Sequence, residues 1–89
     1  MIRKKILQEF FLAKMNGKKN WELRKEDDCK FKEGDIVQYD EVNPQGVLTG
    51  RYMIARIIYV LHGPFPGLGA SYCIYSDQVI EDEGSDKNA

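Results

Sequence analysis

The sequence predicts a mainly β fold: a small, mostly antiparallel β-barrel with one short helix near the N-terminus. Three observations carry this. Short segments rich in Ile, Val and Tyr recur along the chain, the strongest being RYMIARIIYVL at residues 51–61. Turn signals separate them: NPQG at 43–46, and HGPFPGLG at 62–69, which packs five Gly or Pro into eight positions. Only one stretch, 9–16, has helical spacing. Closing such strands into a barrel removes exposed sheet edges.

Residues 2–7 (IRKKIL) mix basic and apolar positions and open a short strand. Over 9–16 (EFFLAKMN), Phe10, Phe11, Lys14 and Met15 recur at three- and four-residue spacing, and Gly17 takes the left-handed position that ends the helix. Residues 20–25 follow as a strand. Its parity places Trp21 and Leu23 on one face, Glu22 and Arg24 on the other; the apolar pair is expected to fill the core, with stacking on a base the lesser reading for Trp21.

The charged connection 26–35 is anchored by Phe31 and turns at Gly34 and Asp35. Residues 36–40 form a strand, and NPQG turns the chain because proline presets one dihedral and glycine tolerates another. Residues 51–61 should run through the centre of the sheet. An irregular loop (62–69) and a last strand (71–80) follow. The tail 81–89 is acidic and rich in small residues, has nothing to bury, and is expected to be disordered. The expected organisation is one domain, 1–80, and a tail.

Composition narrows the function classes. At 89 residues, with 43% hydrophobic and 30% charged residues, the chain has the balance of an ordinary soluble domain. Folding at this size hides roughly 60–65% of the unfolded surface. The longest apolar runs are strand-length, too short for a bilayer, and the basic start Arg3-Lys4-Lys5 does not lead into a secretory leader; the expected compartment is the cytoplasm. Two separated cysteines, Cys29 and Cys73, and the single His62 make no zinc spacing, so no metal, cofactor or disulfide is expected. The net charge of −1 hides an asymmetry: residues 1–25 hold eight Lys or Arg against Glu9 and Glu22, while 77–86 hold five acids and no base. Tight nonspecific binding to duplex DNA needs many phosphate contacts and does not fit. A local basic face that holds one or a few phosphates does.

Gly17, Lys19, Glu22 and Arg24 spell G-x-K-x-x-E-x-R, between a short helix and a strand. This resembles the signature of ASCH domains, relatives of the PUA fold. A wider resemblance, over roughly residues 5–76, is to a group of small bacterial and phage ASCH-like proteins; its blocks are KILQEFFLAKMNGKKNWELRK, FKEGDIVQYDE, TGRYMIARIIYVLHG and SYCIYS. The resemblance implies a PUA-like β-barrel whose cleft, lined by the signature residues, suits single-stranded RNA, a nucleotide or a modified nucleoside. One small bacterial ASCH group is a hydrolase that deacylates acetylated cytidine, with a threonine where this chain has Glu22.

The chemistry of the signature residues agrees with such a cleft. Lys19 offers a compact charge for phosphate, Arg24 a planar fork, and Glu22 an acceptor for exocyclic amines or a holder of the two cations. The plain alternative is a strand-face salt bridge in water, worth ~0.2–1 kcal/mol. Lys18 and Lys25 add positive potential. Among the tyrosines, Tyr39, Tyr52, Tyr59 and Tyr75 read as core or sheet residues, and Tyr72, after the Gly/Pro loop, is the expected stacking wall of the cleft. His62, at a strand end beside the loop, reads as a solvent-facing or capping residue ahead of a general acid or base, since no nucleophile accompanies it. The expected function is an RNA- or nucleotide-binding module. One alternative is an amidohydrolase of an acylated nucleoside, with Lys19 as base and Glu22 aiding a water; another is a protein-interaction domain using Phe65 and Leu68. Oligomeric state is not legible in the sequence.

Overall fold

A computed structural model of the chain describes residues 1–82. Five strands and one helix follow in the order β1 (Ile2–Leu7), α1 (Gln8–Met15), β2 (Trp21–Lys25), β3 (Ile36–Val42), β4 (Leu48–His62) and β5 (Tyr72–Asp82). They form a single curled sheet, a half-barrel, ordered β1-β3-β4-β5-β2. All neighbours run antiparallel except β1 and β3. The mainly β expectation holds, and β4 occupies the centre as its composition predicts.

Each boundary has a local cause. Helix α1 stops because Gly17, at φ 74°, turns the chain back: the amides of Lys18 and Lys19 both donate to the Ala13 carbonyl, at 2.9 and 3.2 Å. At NPQG the Asn43 carboxamide oxygen accepts from the amides of Gln45 and Val47, each at 3.0 Å, so β4 begins at Leu48, ahead of the expected Arg51. Breaks in the β4–β5 register, between Ile54 and Ala55 and between Ile57 and Tyr59, mark bulges that increase the local twist and curl the sheet. Gly63 lies against the Gly69 carbonyl, where a Cβ would collide, so the loop crosses itself only with glycine there.

The concave face and α1 enclose the core of Ile6, Phe11, Phe31, Val37, Tyr39, Met53, Ala55, Ile57, Cys73 and Tyr75. Phe31 anchors the charged connection at 1% exposure, as expected. Fully burying a side chain such as Phe11 contributes ~1.5–3 kcal/mol. The last strand continues to Asp82, pairing Ile54 with Glu81 and Met53 with Asp82; the expected end at residue 80 therefore falls inside a paired strand. The remainder of the expected tail, 83–89, lies outside the described residues. Among the described residues, no helix is long and apolar enough to cross a membrane.

The sheet does not close. Strand β1 pairs only with β3 and β2 only with β5, so a seam separates the two edges. Helix α1 follows β1 directly and packs against β1, β3 and β5 at the end of this seam.

Candidate functional site

The seam holds a cleft of about 380 Å³, lined by Lys5, Ile6 and Leu7 of β1, Phe10 of α1, Lys19, and residues 21–24 of β2. The signature side chains converge in its wall. Glu22 sits at their centre, 4% exposed. Lys19 Nζ donates to its Oε2 at 2.6 Å, and Arg24 Nη2 lies 3.1 Å from Oε1. Lys14, which the helical spacing places with Phe11 and Met15, comes from beneath with Nζ 3.2 Å from Oε2. Three cations thus surround one carboxylate and offset the cost of taking it out of water.

The arrangement reverses the face expected for β2. Trp21 is 46% and Leu23 53% exposed, while Glu22 and Arg24 point inward opposite Tyr75 and Cys73 of β5. Trp21 is therefore a rim residue and not a core residue. The alternation fixes which residues share a face but not which face is interior. The interior wins here for Glu22 because Lys14 and Lys19 from the helix end and Arg24 from its own strand supply the compensating charge. The solvent-exposed salt bridge considered for this motif gives way to a buried network.

Arg24 also closes the seam. Its Nη1 donates to the Lys5 carbonyl at 3.2 Å, across from β2 to β1, and its Cζ stands 5.7 Å from the Tyr39 ring centre. Its Nε is buried without a hydrogen-bond partner among the described residues, leaving an unused donor beside the cleft. Lys19 Nζ lies 5.3 Å from the Phe10 ring centre and 4.7 Å from that of Trp21, and also donates to the Trp21 carbonyl at 3.0 Å. The rim is thus aromatic and the wall ionic.

Behind Glu22 the network continues. Lys14 Nζ donates to both oxygens of Asp77, at 2.7 and 2.9 Å, and the Tyr39 hydroxyl donates to Asp77 at 2.5 Å. Since that proton is spent on Asp77, the Tyr75 hydroxyl donates to the Tyr39 oxygen, 2.7 Å away. Burial, reinforced by Tyr75 and the Asp77 charge, pushes the Tyr39 hydroxyl far above its ordinary range; burial likewise raises Tyr75. Both stay protonated donors. A second hollow of about 350 Å³, lined by Lys14, Met15, Asn20, Asp77 and neighbours, lies across Lys19 from the cleft.

The other expected site residues are dispersed. Lys18 is exposed and outside the cleft wall. Tyr72 pairs with Lys25 at the far end of β2, on the face that carries Trp21 and Leu23, is 41% exposed and does not line the cleft, whose aromatic surfaces are Trp21 and Phe10. His62 is half-exposed and its Nδ1 lies 2.8 Å from Glu26 Oε1. Although burial works against it, the His62 contact and the Phe31 amide hold the Glu26 carboxyl below its ordinary value. Burial pushes the Cys73 thiol up to about 11, which leaves it protonated and unreactive near neutrality. Sequence reasoning missed Asp77, Tyr39 and Tyr75 as a network; strand alternation alone does not reveal cross-strand partners. For Lys14 a signal existed, a lysine inside an apolar helical stripe.

No curated protein matches the sequence. Residues 3–76 match the family described as Domain of unknown function (DUF3850), and the chain belongs to that family.

Proposed function

We propose that this protein is a cytoplasmic nucleotide- or single-stranded-RNA-binding module, of ASCH and PUA-like kinship, that takes one unpaired base and its phosphate into the seam cleft. The observation that carries this reading is the convergence of Lys19 and Arg24 around a buried carboxylate at the foot of an aromatic rim. A base stacks on Trp21 or Phe10, an interaction worth ~1–3 kcal/mol. Its phosphate meets Lys19 and the cleft-facing edge of the Arg24 guanidinium. Glu22 serves mainly as the holder of the cations, because both of its oxygens already face positive groups. That occupancy also leaves the hydrolytic alternative with less support, since a carboxylate so engaged is a poor partner for a reacting water.

The cleft volume of about 380 Å³ is at the small end of ligand sites. One nucleotide fits, while further nucleotides of an RNA run along the exposed Lys5, Lys18 and Lys25. Trp21 is the sole tryptophan, so its emission reports directly on the rim. Titration with AMP, CMP and short single-stranded RNAs should quench it, more weakly as salt rises. Unchanged emission with every one of these probes, in low salt, would refute the reading.

A further inference from the structure

Of the three cations around Glu22, two belong to the cleft wall and one does not. Lys19 and Arg24 line the cleft; Lys14 lies behind it, its side chain 1% exposed. Yet Lys14 and Lys19 address the same oxygen, Glu22 Oε2, at 3.2 and 2.6 Å. We propose that Lys14 is the standing counter-ion of Glu22, whose presence lets Lys19 leave that carboxylate for an anionic oxygen of the ligand. The idea rests on the reading of the cleft as a nucleotide site and specifies how it binds charge.

The physical reason is the cost of stranding a buried carboxylate. A carboxylate with its partner removed in a dry setting is strongly destabilising, so a Lys19 that was Glu22's main support would give up in one pair what it gained in another. Lys14 changes this balance because it cannot follow Lys19. It is fixed by two hydrogen bonds to Asp77, and Asp77 is fixed in turn by the Tyr39 hydroxyl and by its own amide, which donates to the Asn20 carbonyl at 3.0 Å.

Lys19 is the mobile member. Its four-carbon stem is flexible, its side chain is 11% exposed, and its other contacts are one carbonyl and two aromatic faces. Arg24 is less free, since its fork spans Glu22 and the Lys5 carbonyl. When a phosphate enters, Lys19 turns toward it, Glu22 keeps Lys14 and Arg24, and no buried charge is left alone. Lys14 is thus a positioning residue that never touches the ligand.

A double-mutant cycle separates this from a general charge effect. Affinities for AMP and for adenosine, read from Trp21 emission, are measured on the unaltered chain, Lys14→Met, Glu22→Gln and the double variant. We expect Lys14→Met to weaken AMP about tenfold while adenosine stays within about twofold, and the loss to shrink below about twofold once Glu22 is Gln, because no carboxylate then holds Lys19. Equal weakening in both backgrounds, or none in either, overturns the exchange while adenosine binding leaves the functional reading standing. If Lys14→Met does not fold, Glu22→Gln alone decides: AMP should tighten several-fold and adenosine should not, and unchanged or weaker AMP binding overturns the exchange. Neither AMP nor adenosine binding to the unaltered chain would remove the reading and the exchange together.

Discussion

Two glutamates in this chain are almost equally buried and have opposite surroundings. Glu41 of β3, 0% exposed, is gripped by one guanidinium: Arg51 Nε reaches Oε1 at 2.8 Å and Nη2 reaches Oε2 at 2.7 Å, while the Thr49 hydroxyl donates to Oε1 at 2.5 Å. The Arg51 fork holds the Glu41 carboxyl below its ordinary value against the cost of burial, with Thr49 and Gln8 helping. Glu22, 4% exposed, instead shares three separate cations, two of them in the wall of an open cleft. The first arrangement is saturated and bidentate, with Arg51 also 5.1 Å from the Phe11 ring centre, and it ties β3, β4 and α1 together. The second is a network of three cations and two carboxylates, Glu22 and Asp77, that share Lys14, with an unsatisfied donor next to it. Burial of a carboxylate is therefore a poor guide to function. The number of its partners, and whether any can be reassigned, is the better one.

The contrast breaks most visibly in stability. Glu41→Gln should cost about 3 kcal/mol, lowering the melting temperature by roughly 12 °C or more, because the fully buried end of a bidentate ion pair loses its charge. Nucleotide affinity should stay within about twofold, measured on the same preparation. Arg24→Ala should do the reverse: a loss of AMP affinity of about tenfold to a hundredfold, the worth of charge-assisted hydrogen bonds, with a smaller fall in melting temperature than Glu41→Gln.

Next in size is the rim. Trp21→Ala should weaken AMP and adenosine alike by about tenfold, the cost of one lost stacking surface, and leave stability nearly unchanged because the ring is half in water. Isothermal titration would read it, and Tyr72→Ala, outside the cleft wall, should read as unaltered. The smallest effect is in acid. Glu41 titrates lower in the folded chain than its ordinary 4.5, so the unfolded chain takes up the proton first as pH falls. The stability it confers is complete above that value and is lost as pH drops through the lower, folded value. Denaturant melts from pH 6 down to pH 2 should show a steeper acid limb in the unaltered chain than in Glu41→Gln.

Much of the fold was legible because its signals are local. Gly17 ends the helix, Asn43 and Gly46 shape a turn, and the β-branched run around Ile57 makes the central strand. The signature residues were legible as a group for a related reason, since strand parity puts Glu22 and Arg24 on one face. What the sequence withheld is which face looks inward. Trp21 and Leu23 read as core by hydropathy, and only the arrival of Lys14 and Lys19 from the helix end makes the polar face the buried one. Tyr72 was misplaced for a related reason: being next to a loop does not say how far along the paired strands the cleft lies. The Lys14–Asp77 pair joins residues 63 positions apart, beyond any local pattern.

The claim that Glu22 marks a ligand site and Glu41 a structural clasp is tested most directly by following backbone amide resonances while AMP is added to the unaltered chain. The account predicts saturable shifts at residues 5–7, 10, 19 and 21–24, with residues 41, 49 and 51 unmoved. Shifts that gather at 62–72 or around Glu41 and Arg51, with the seam silent, would contradict it.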